Sequence, residues 1–301
     1  MTAGPRGKEG CLFNMKITRV GIITKVTSPF ASGTMSALVP RLRGQGVSVR
    51  VQEEYQSLAG EGVAVVPRDK VLEGVQLALV LGGDGTFLSA ARLVEGSDQL
   101  LLGINLGSLG FLTELSLDEM DAHLPGILAG NYEIEERIRL EAHHVRGTET
   151  IGQYQALNDV VIHKGNLARL IDLEVFIDGQ KATTIRGDGL ILSTPTGSTG
   201  YSLAAGGPIL EPSLEALVVT PMCPQCLSAR PIVVRPERMI QVKMGSDPGG
   251  IFLTLDGQKG LELKEEDQIR VRISPNPARL VRTGIRAFYD VLGTKLNWGK
   301  R

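Results

Sequence analysis

Short apolar runs and helix-periodic segments alternate along the first half of the chain. The runs typical of buried strands are 17–24, 47–51, 75–81 and 100–105. The segments with helical periodicity lie near 32–43, 87–94 and 117–129. The segment 54–74 fits neither pattern. Strands that alternate with helices predict an α/β domain with a parallel, doubly wound sheet, and ligands of such sheets lie at the carboxyl ends of the strands.

From about residue 132 the pattern changes to successive β-rich runs. They cover 138–145, 154–163, 170–177, 190–194, 216–220, 232–234, 240–244, 251–255 and 268–273. Two dipeptides, Asp178-Gly179 and Asp256-Gly257, predict hairpin turns. We therefore expect a second, mostly β domain. The terminal segment 285–296 reads as a helix that needs a partner face, for which the first domain is the candidate.

The turn Gly82-Gly83-Asp84-Gly85-Thr86 joins the apolar run 75–81 to the following helix. Its glycines allow a sharp bend and close approach of a ligand, and the first amides of the helix attract an anion such as phosphate. The carboxylate of Asp84 would repel phosphate unless it binds a metal or takes a proton from a nucleophile. The same turn also closes strand–helix junctions that bind nothing, with Asp as a cap. From the turn alone both interpretations stay open.

Known phosphate-binding fingerprints do not fit this turn. No Gly-Lys-Ser/Thr follows it, so it is not a Walker loop. Leu88 stands at the last glycine position of the dinucleotide fingerprint.

Composition excludes several classes of partner. The net charge is −1 over 301 residues, with 42% hydrophobic, 22% charged and 4% aromatic residues, so no global basic field recruits nucleic acid or an anionic membrane. No apolar run approaches the roughly 20 residues of a membrane span. Three cysteines do not form a disulfide framework and indicate a reducing, cytoplasmic compartment.

Most of the polar chemistry of the second half lies in the segment 186–208, RGDGLILSTPTGSTGYSLAAGGP. A strand there leads into a loop of Ser, Thr and Gly, whose hydroxyls and amides can satisfy the polar atoms of a nucleotide or sugar. Asn158-Asp159 interrupts the run 154–163; taken alone, this pair is better explained as a bulge or turn than as a ligand site. Cys223-Pro-Gln-Cys226 has no second CxxC to complete a zinc site, and we expect buried or semi-exposed thiols.

Together these segments closely resemble the NAD kinase family of bacterial type. The matching pieces are GGDGTFLSAAR (82–92), GINLGSLGFLTE (103–114), LNDVVIHKG (157–165), RGDGLILSTPTGSTGYSLAAGGPIL (186–210) and TPMCPQCLSARPIV (220–233). Lipid kinases and 6-phosphofructokinases share the GGDG turn, but the second-domain block narrows the resemblance to the NAD kinases.

The resemblance implies an activity and a set of site residues. The γ-phosphate of ATP would pass to the 2′-hydroxyl of the adenosine ribose of NAD, with Asp84 as general base and Mg²⁺ carried by ATP. The residues expected to bind substrate or nucleotide are Gly82, Gly83, Gly85, Thr86, Phe111, Asn158, Asp159, Arg186, Asp188, Thr196, Thr199, Gly200, Tyr201 and Gln258. Phe111 would lie by the adenine. Tyr201 and Asp188 would lie nearer the nicotinamide half, with Arg186 close by.

We expect four segments. Residues 1–14 lack the apolar core of a signal peptide and are expected to be a flexible leader. The family fold implies a Rossmann-like α/β domain at 15–135, an all-β sandwich that binds NAD at 136–275, and a C-terminal segment at 276–301 that returns to the first domain. The family also implies a homodimer or homotetramer, built through the β domain.

Two positions depart from the family's usual pattern. Asp159 stands where Glu is usual, which changes the reach of the carboxylate, and Gly200 stands where Ala is usual, which removes a methyl contact. Two alternative functions remain: a lipid or sugar kinase with the same GGDG turn, and a non-catalytic NAD(P)-binding regulator.

Overall fold

The computed structural model describes residues 15–25, 31–94, 96, 98–107, 110–165, 169–245 and 250–298. The predicted leader, 1–14, lies outside the described residues. The chain forms two compact units. The α/β unit runs to Glu136 and resumes at Arg279, and the β unit is Arg137–Ala278.

The α/β unit begins as the predicted alternation of strands and helices. Its strands are β1 (Arg19–Thr24), β2 (Ser48–Gln52), β3 (Val63–Val66), β4 (Leu77–Leu81), β5 (Leu100–Asn105), β6 (Leu115–Ser116) and β7 (Glu133–Arg137). Its helices up to that point are α1 (Ala31–Gly44), α2 (Asp84–Leu93) and α3 (Leu117–Leu128). Helix α2 begins at Asp84 rather than at Phe87, so the glycine turn contributes its own residues to the first helical turn.

The β unit consists almost entirely of strands. They are β8 (Leu140–Arg146), β9 (Glu149–Ala156), β10 (Asp159–Lys164), β11 (Ile171–Ile177), β12 (Gln180–Gly187), β13 (Gly189–Ser193), β14 (Leu217–Met222), β15 (Ile232–Val234), β16 (Ile240–Met244), β17 (Ile251–Leu255), β18 (Lys259–Leu263) and β19 (Asp267–Ile273). One short helix, α4 (Tyr201–Ala204), follows β13.

The chain then returns to the first unit through β20 (Ala278–Arg282) and α5 (Phe288–Leu296). The sheet of the α/β unit has the order β3-β2-β1-β4-β5-β20-β7, with β6 beside β5. Strands β1, β2, β3, β4, β5 and β20 pair in parallel. All five residues of β4 are buried, as expected for a central strand covered on both faces. The predicted parallel sheet and the returning C-terminal segment are confirmed.

The β unit is a sandwich of two antiparallel sheets. Their orders are β15-β14-β13-β10-β17-β18 and β12-β11-β16-β19-β8-β9. Buried side chains from both sheets form one core, for example Val160 and Leu192 of the first with Leu173 and Val242 of the second. This confirms the predicted all-β sandwich.

Both predicted hairpin turns are present. Asp178-Gly179 joins β11 to β12, and Asp256-Gly257 joins β17 to β18. All four residues have positive φ, between 49° and 79°, which is the backbone of a type I′ turn.

The predicted run 154–163 is wrong as a single strand. Strand β9 ends at Ala156 in one sheet, and β10 begins at Asp159 in the other. Leu157 and Asn158 carry the chain between the sheets, so the polar pair marks a crossover and not a bulge. None of the described helices is long and apolar enough to cross a membrane.

Candidate active site

The glycine turn after β4 places Asp84 at the carboxyl end of the parallel sheet. Gly82 has φ +153°, and a Cβ there would lie 2.6 Å from the Thr86 hydroxyl oxygen, so only glycine fits. At Gly83, the residue that caps α2, a Cβ would meet nothing within 4 Å. Thr86 and Phe87 donate their N–H groups to the Gly83 carbonyl and close the first turn of the helix.

The Asp84 carboxylate is fixed by the loop that follows the neighbouring strand β5. Its Oδ2 accepts the N–H of Phe111 at 2.9 Å and its Oδ1 accepts the N–H of Leu112 at 3.1 Å. A carboxylate has about four lone-pair directions, so these two bonds orient Asp84 and leave acceptor capacity for a hydroxyl. A Cβ at Gly110 would lie 2.0 Å from Asp84 Oδ1. Glycine at 110 is therefore required for this close approach.

Asn105, the last residue of β5, has a local role. Its side-chain oxygen accepts the N–H of Gly107 at 2.8 Å, and the residue is 5% exposed. It shapes the start of the loop that carries Phe111.

The C-terminal segment supports the loop that carries Phe111 and Leu112. Glu114, the residue that binds this segment, was not identified from the sequence. Glu114 is 1% exposed and accepts hydrogen bonds from the Thr283 N–H, the Thr283 hydroxyl and Arg282 Nη1, at 2.7, 2.6 and 2.8 Å. The ring of Phe111 lies 6.3 Å, centroid to centroid, from that of Phe288 at the start of α5. Within the α/β unit, the chain end thus braces the loop that orients Asp84.

A pocket of about 400 Å³ in the β unit gathers three of the predicted residues. Asn158, Asp159 and Tyr201 line it, together with Val161, His163, Thr254, Asp256 and Gly257. A volume of this size suits part of a nucleotide. The oxygen Asn158 Oδ1 is buried and has no hydrogen-bond partner among the described residues. Such an orphaned acceptor is unfavourable unless a ligand or an ordered water satisfies it.

Asp256 organises this pocket, and sequence reasoning missed it. Its carboxylate accepts the N–H groups of Leu157, Asn158 and Asp159 at 3.2, 2.7 and 3.3 Å. These bonds hold the crossover between the two sheets. The only sequence feature that could have indicated Asp256 is the tetrapeptide DGQK, which occurs twice, at 178–181 and 256–259. Asp178, in the other copy, is exposed and pairs with Arg238, so the motif does not show which copy faces a pocket.

The pocket carries two carboxyl groups side by side. Asp159 is 5% exposed, and burial, with the neighbouring charge of Asp256, raises the pKa of Asp159 from 3.8 to about 7. Burial also raises the pKa of Tyr201, with smaller contributions from Cys223, Asp188 and Asp159. Perturbed carboxyl groups of this kind are concentrated at functional sites.

The Ser/Thr/Gly loop after β13 is built mostly for itself. Its hydroxyls donate to carbonyl oxygens within the unit, as Thr194 does to Leu157 at 2.6 Å and Ser198 to Pro195 at 2.6 Å. The Thr196 hydroxyl accepts from Arg137, and the Thr199 hydroxyl donates to the Thr196 carbonyl. These hydroxyls are therefore engaged within the unit, and contact of Thr196 and Thr199 with a ligand stays a prediction. The loop leads into α4, whose first residue, Tyr201, is about half exposed.

The remaining predicted residues lie outside the lining of this pocket. Asp188 forms an ion pair with Lys164 at 2.6 Å, whereas Arg186 is 3.9 Å from Asp172 and largely exposed. A methyl group at Gly200 would lie 3.7 Å from Asn158 Nδ2. Gln258 is exposed in the turn that follows Asp256.

A second cavity, of about 430 Å³, lies elsewhere in the α/β unit. Arg19, Ser48, Val49 and Arg50 are among its lining residues. Because these residues stand at the amino ends of β1 and β2, the cavity is at the opposite edge of the sheet from the glycine turn. It brings together none of the predicted site residues.

Comparison with known proteins assigns the two units to one class, the phosphotransferases that act on NAD. The model of the ATP-NAD kinase N-terminal domain matches residues 20–132, and that of the ATP-NAD kinase C-terminal domain matches residues 157–283. The chain belongs to the ATP-NAD kinase family.

Individual relatives agree with this assignment. The chain is 47% identical to an NAD kinase of Geotalea daltonii, over 94% of this chain and 99% of the relative, and 46% identical to one of Geobacter sulfurreducens with the same coverage. The fold is similar to that of yeast NADH kinase complexed with NADH, with a TM-score of 0.88, 28% identity, and coverage of 96% of this chain and 90% of that one. It also resembles an NAD kinase from Archaeoglobus fulgidus in complex with ATP, with a TM-score of 0.73, 27% identity, and coverage of 93% and 100%.

Proposed function

We infer that this protein is an NAD kinase, which transfers the γ-phosphate of ATP to the 2′-hydroxyl of the adenosine ribose of NAD and makes NADP. The observation that carries this inference is the oriented carboxylate of Asp84 inside an anion-attracting glycine turn. A carboxylate in that place has no use in a site that only binds phosphate. It is useful where a proton must leave a hydroxyl during phosphoryl transfer.

We assign the role of general base to Asp84. A ribose hydroxyl is a weak nucleophile at neutral pH, and a carboxylate within hydrogen-bond reach takes its proton as the phosphorus–oxygen bond forms. The N–H groups of Phe111 and Leu112 hold the carboxylate in one orientation, so little reorganisation is needed when the proton moves.

We assign NAD binding to the pocket of the β unit. The unpartnered Asn158 Oδ1 would accept a hydrogen bond from an amine or hydroxyl of the ligand. Asp159, whose pKa is about 7, would accept from a ribose hydroxyl when ionised. The ring of Tyr201, which is about half exposed, would stack on an aromatic part of the ligand. Arg186 and Asp188, which directly precede β13, would contact parts of NAD that lie outside this pocket.

We assign the phosphates of ATP to the glycine turn and the first amides of α2, with Mg²⁺ carried by ATP. Among the described residues no group of three or more His, Cys, Asp or Glu could hold a metal ion. Mg²⁺ is commonly held through substrate phosphates, and we expect that here. The cation would neutralise negative charge on the γ-phosphate, because the amides carry only partial charges and the Asp84 carboxylate is itself negative.

The direct test is to incubate the purified protein with NAD, ATP and Mg²⁺ and to follow NADP with an NADP-specific dehydrogenase. Asp84→Asn should lose about 10²- to 10⁴-fold in kcat, the range of general-base catalysis, with KM for NAD little changed. Asp118→Asn, which alters an exposed carboxylate in the first turn of α3, is the matched control and should keep full activity.

Near-normal turnover in Asp84→Asn would remove Asp84 as the base. No NADP from folded wild-type protein, with NADH and other phosphate donors also tried, would overturn the NAD kinase assignment and leave a lipid or sugar kinase or a regulator. Loss of activity with a chelator, restored by Mg²⁺, would show the metal requirement.

We also propose a cytoplasmic homo-oligomer. The edge strand β15 exposes Ile232 and Val233. Exposed apolar side chains at a sheet edge are characteristic of protein interfaces. Sedimentation equilibrium should give a dimer or tetramer, and Val233→Lys should shift it toward monomer; a monomeric wild type at micromolar concentration would contradict the proposal.

A further inference from the structure

Two cysteines occur in one exposed loop directly after β14. Cys223 and Cys226 are both free and both exposed, which corrects the expectation of buried or semi-exposed thiols. Cys223 has φ +43°, in the left-handed region that residues other than glycine rarely adopt. The chain therefore bends sharply at the first cysteine, and the second follows three residues later.

The environment of Cys226 favours its thiolate. Its sulfur lies 3.0 Å from the Ser228 hydroxyl oxygen. Hydrogen bonds from Ser228, and more weakly the N–H of Ala229 and the charge of Arg230, lower the pKa of the Cys226 thiol. The thiolate is the reactive form of cysteine, and exposed cysteines with a lowered pKa beside a second cysteine are typical of redox-sensitive sites.

The loop is tied to the segment 186–188. The N–H of Gln225, between the two cysteines, donates to the Arg186 carbonyl at 2.8 Å, and the N–H of Asp188 donates to the Met222 carbonyl at 2.9 Å. A Cβ at Gly187 would lie 2.7 Å from the Met222 carbonyl oxygen. Because Gly187 packs directly against the loop, we expect a change in the conformation of the loop to displace the neighbouring residues Arg186 and Asp188.

We propose that Cys223 and Cys226 form a thiol–disulfide pair that peroxide oxidises, and that the disulfide weakens NAD binding by displacing the segment 186–188. The second part rests on the proposed function. Closing an S–S bond brings the two Cα atoms to about 4.4–6.8 Å and sets the dihedral angle between the sulfurs. We expect these restraints to shift the backbone around Gln225, whose N–H donates to the Arg186 carbonyl.

The oxidation proceeds in two balanced steps. The Cys226 thiolate attacks one oxygen of hydrogen peroxide, the O–O bond breaks and hydroxide leaves, giving a sulfenic acid. The Cys223 thiolate then attacks that sulfur, the S–S bond forms, the S–O bond breaks and a second hydroxide leaves. The two protons released by the thiols convert both hydroxides to water, so the thiols are oxidised and the peroxide is reduced.

The test uses the full chain with Cys11→Ser, so that only the pair remains. Peroxide treatment should give a peptide with a Cys223–Cys226 disulfide by mass spectrometry. KM for NAD should rise about fivefold or more with kcat changed less than about twofold, and dithiothreitol should reverse both changes. With Cys226→Ser added, the same treatment should give no disulfide and leave KM unchanged.

Two results would overturn the proposal: peptides without the intraloop disulfide, or a complete disulfide with unchanged NAD affinity. NAD binding to the reduced and oxidised forms, measured by calorimetry, reports on the loop even without turnover. A reduced protein that binds NAD but makes no NADP would contradict the kinase assignment and not the redox pair.

Discussion

Replacing Asp159 with Asn should stabilise the protein at alkaline pH and much less at acid pH. Burial and the charge of Asp256 raise the pKa of Asp159 to about 7, whereas the unfolded chain keeps the ordinary value of 3.8. A carboxyl group with a raised folded-state pKa contributes most to stability below the unfolded pKa. That contribution is lost as the pH rises through the folded pKa.

The magnitude follows from the two pKa values. The ionisation equilibrium of Asp159 lowers the free energy of unfolding by about 4 kcal/mol at pH 8 and by about 2 kcal/mol at pH 5, where only the unfolded chain is largely ionised, at about 1.4 kcal/mol for each tenfold change. Asn is neutral at both pH values. Burying its amide carries a penalty of about 1–3 kcal/mol, but that penalty does not depend on pH. The advantage of Asp159→Asn over wild type should therefore grow by about 2–3 kcal/mol between pH 5 and pH 8.

The assay is differential scanning calorimetry at both pH values. The growth in stability corresponds to a difference in Tm of roughly 5–10 °C for a unit of this size. Asp178→Asn is the control because Asp178 occupies the exposed DGQK turn, where a hydrogen bond from Arg238 lowers its pKa. Its replacement should not stabilise the protein at alkaline pH. An equal change in Tm at pH 5 and pH 8 for Asp159→Asn would refute the reasoning, because Asp159 would then ionise normally in the folded protein.

Two further substitutions test the supports of the site and of the β unit. Gly110→Ala should lower kcat more than tenfold, because its methyl group would lie 2.0 Å from Asp84 Oδ1. Gly33→Ala is the control and should keep wild-type activity, because a Cβ at Gly33 meets nothing within 4 Å. Equal activity of the two variants would contradict the proposed orientation of Asp84. Asp267 accepts a hydrogen bond from Arg146 at 2.7 Å and lies 2.8 Å from His144. Burial alone would raise the pKa of Asp267, but these and other hydrogen bonds lower it to about 2. Asp267→Asn should therefore lower the free energy of unfolding by about 2 kcal/mol at pH 7, a loss that shrinks as the pH falls from 3.8 toward 2; urea denaturation that gives the same loss at pH 7 and pH 3 would show that the carboxylate charge is not its source.

Features that depend on neighbouring residues could be predicted from the sequence. The run 75–81 with its glycine turn encodes a buried strand and a helix start, because all of its determinants lie within about a dozen residues. The Asp-Gly turns are local in the same way, since both residues of each turn supply the positive φ themselves.

Features that depend on distant partners could not be predicted. The run 154–163 is apolar on both sides of Asn158 because β9 and β10 face the same core, and only their hydrogen-bond partners place them in different sheets. Strand β12 was missed because it is an edge strand with most of its residues exposed, so it has no alternating pattern.

The residues of the candidate site also fall into two groups, those that the sequence identifies and those that only the fold identifies. The sequence and its family resemblance select Asp84, Asn158 and Asp159, because their motifs are contiguous. Only the tertiary structure shows that Asp256 holds the crossover from nearly a hundred positions away, since Leu157 and Asp256 differ by 99 in number. It also shows that Glu114 binds Thr283 of the C-terminal segment, 169 positions later in the chain, next to the loop that orients Asp84. A buried carboxylate acquires its role from the N–H groups that the fold brings to it, and those groups leave no mark in the local sequence.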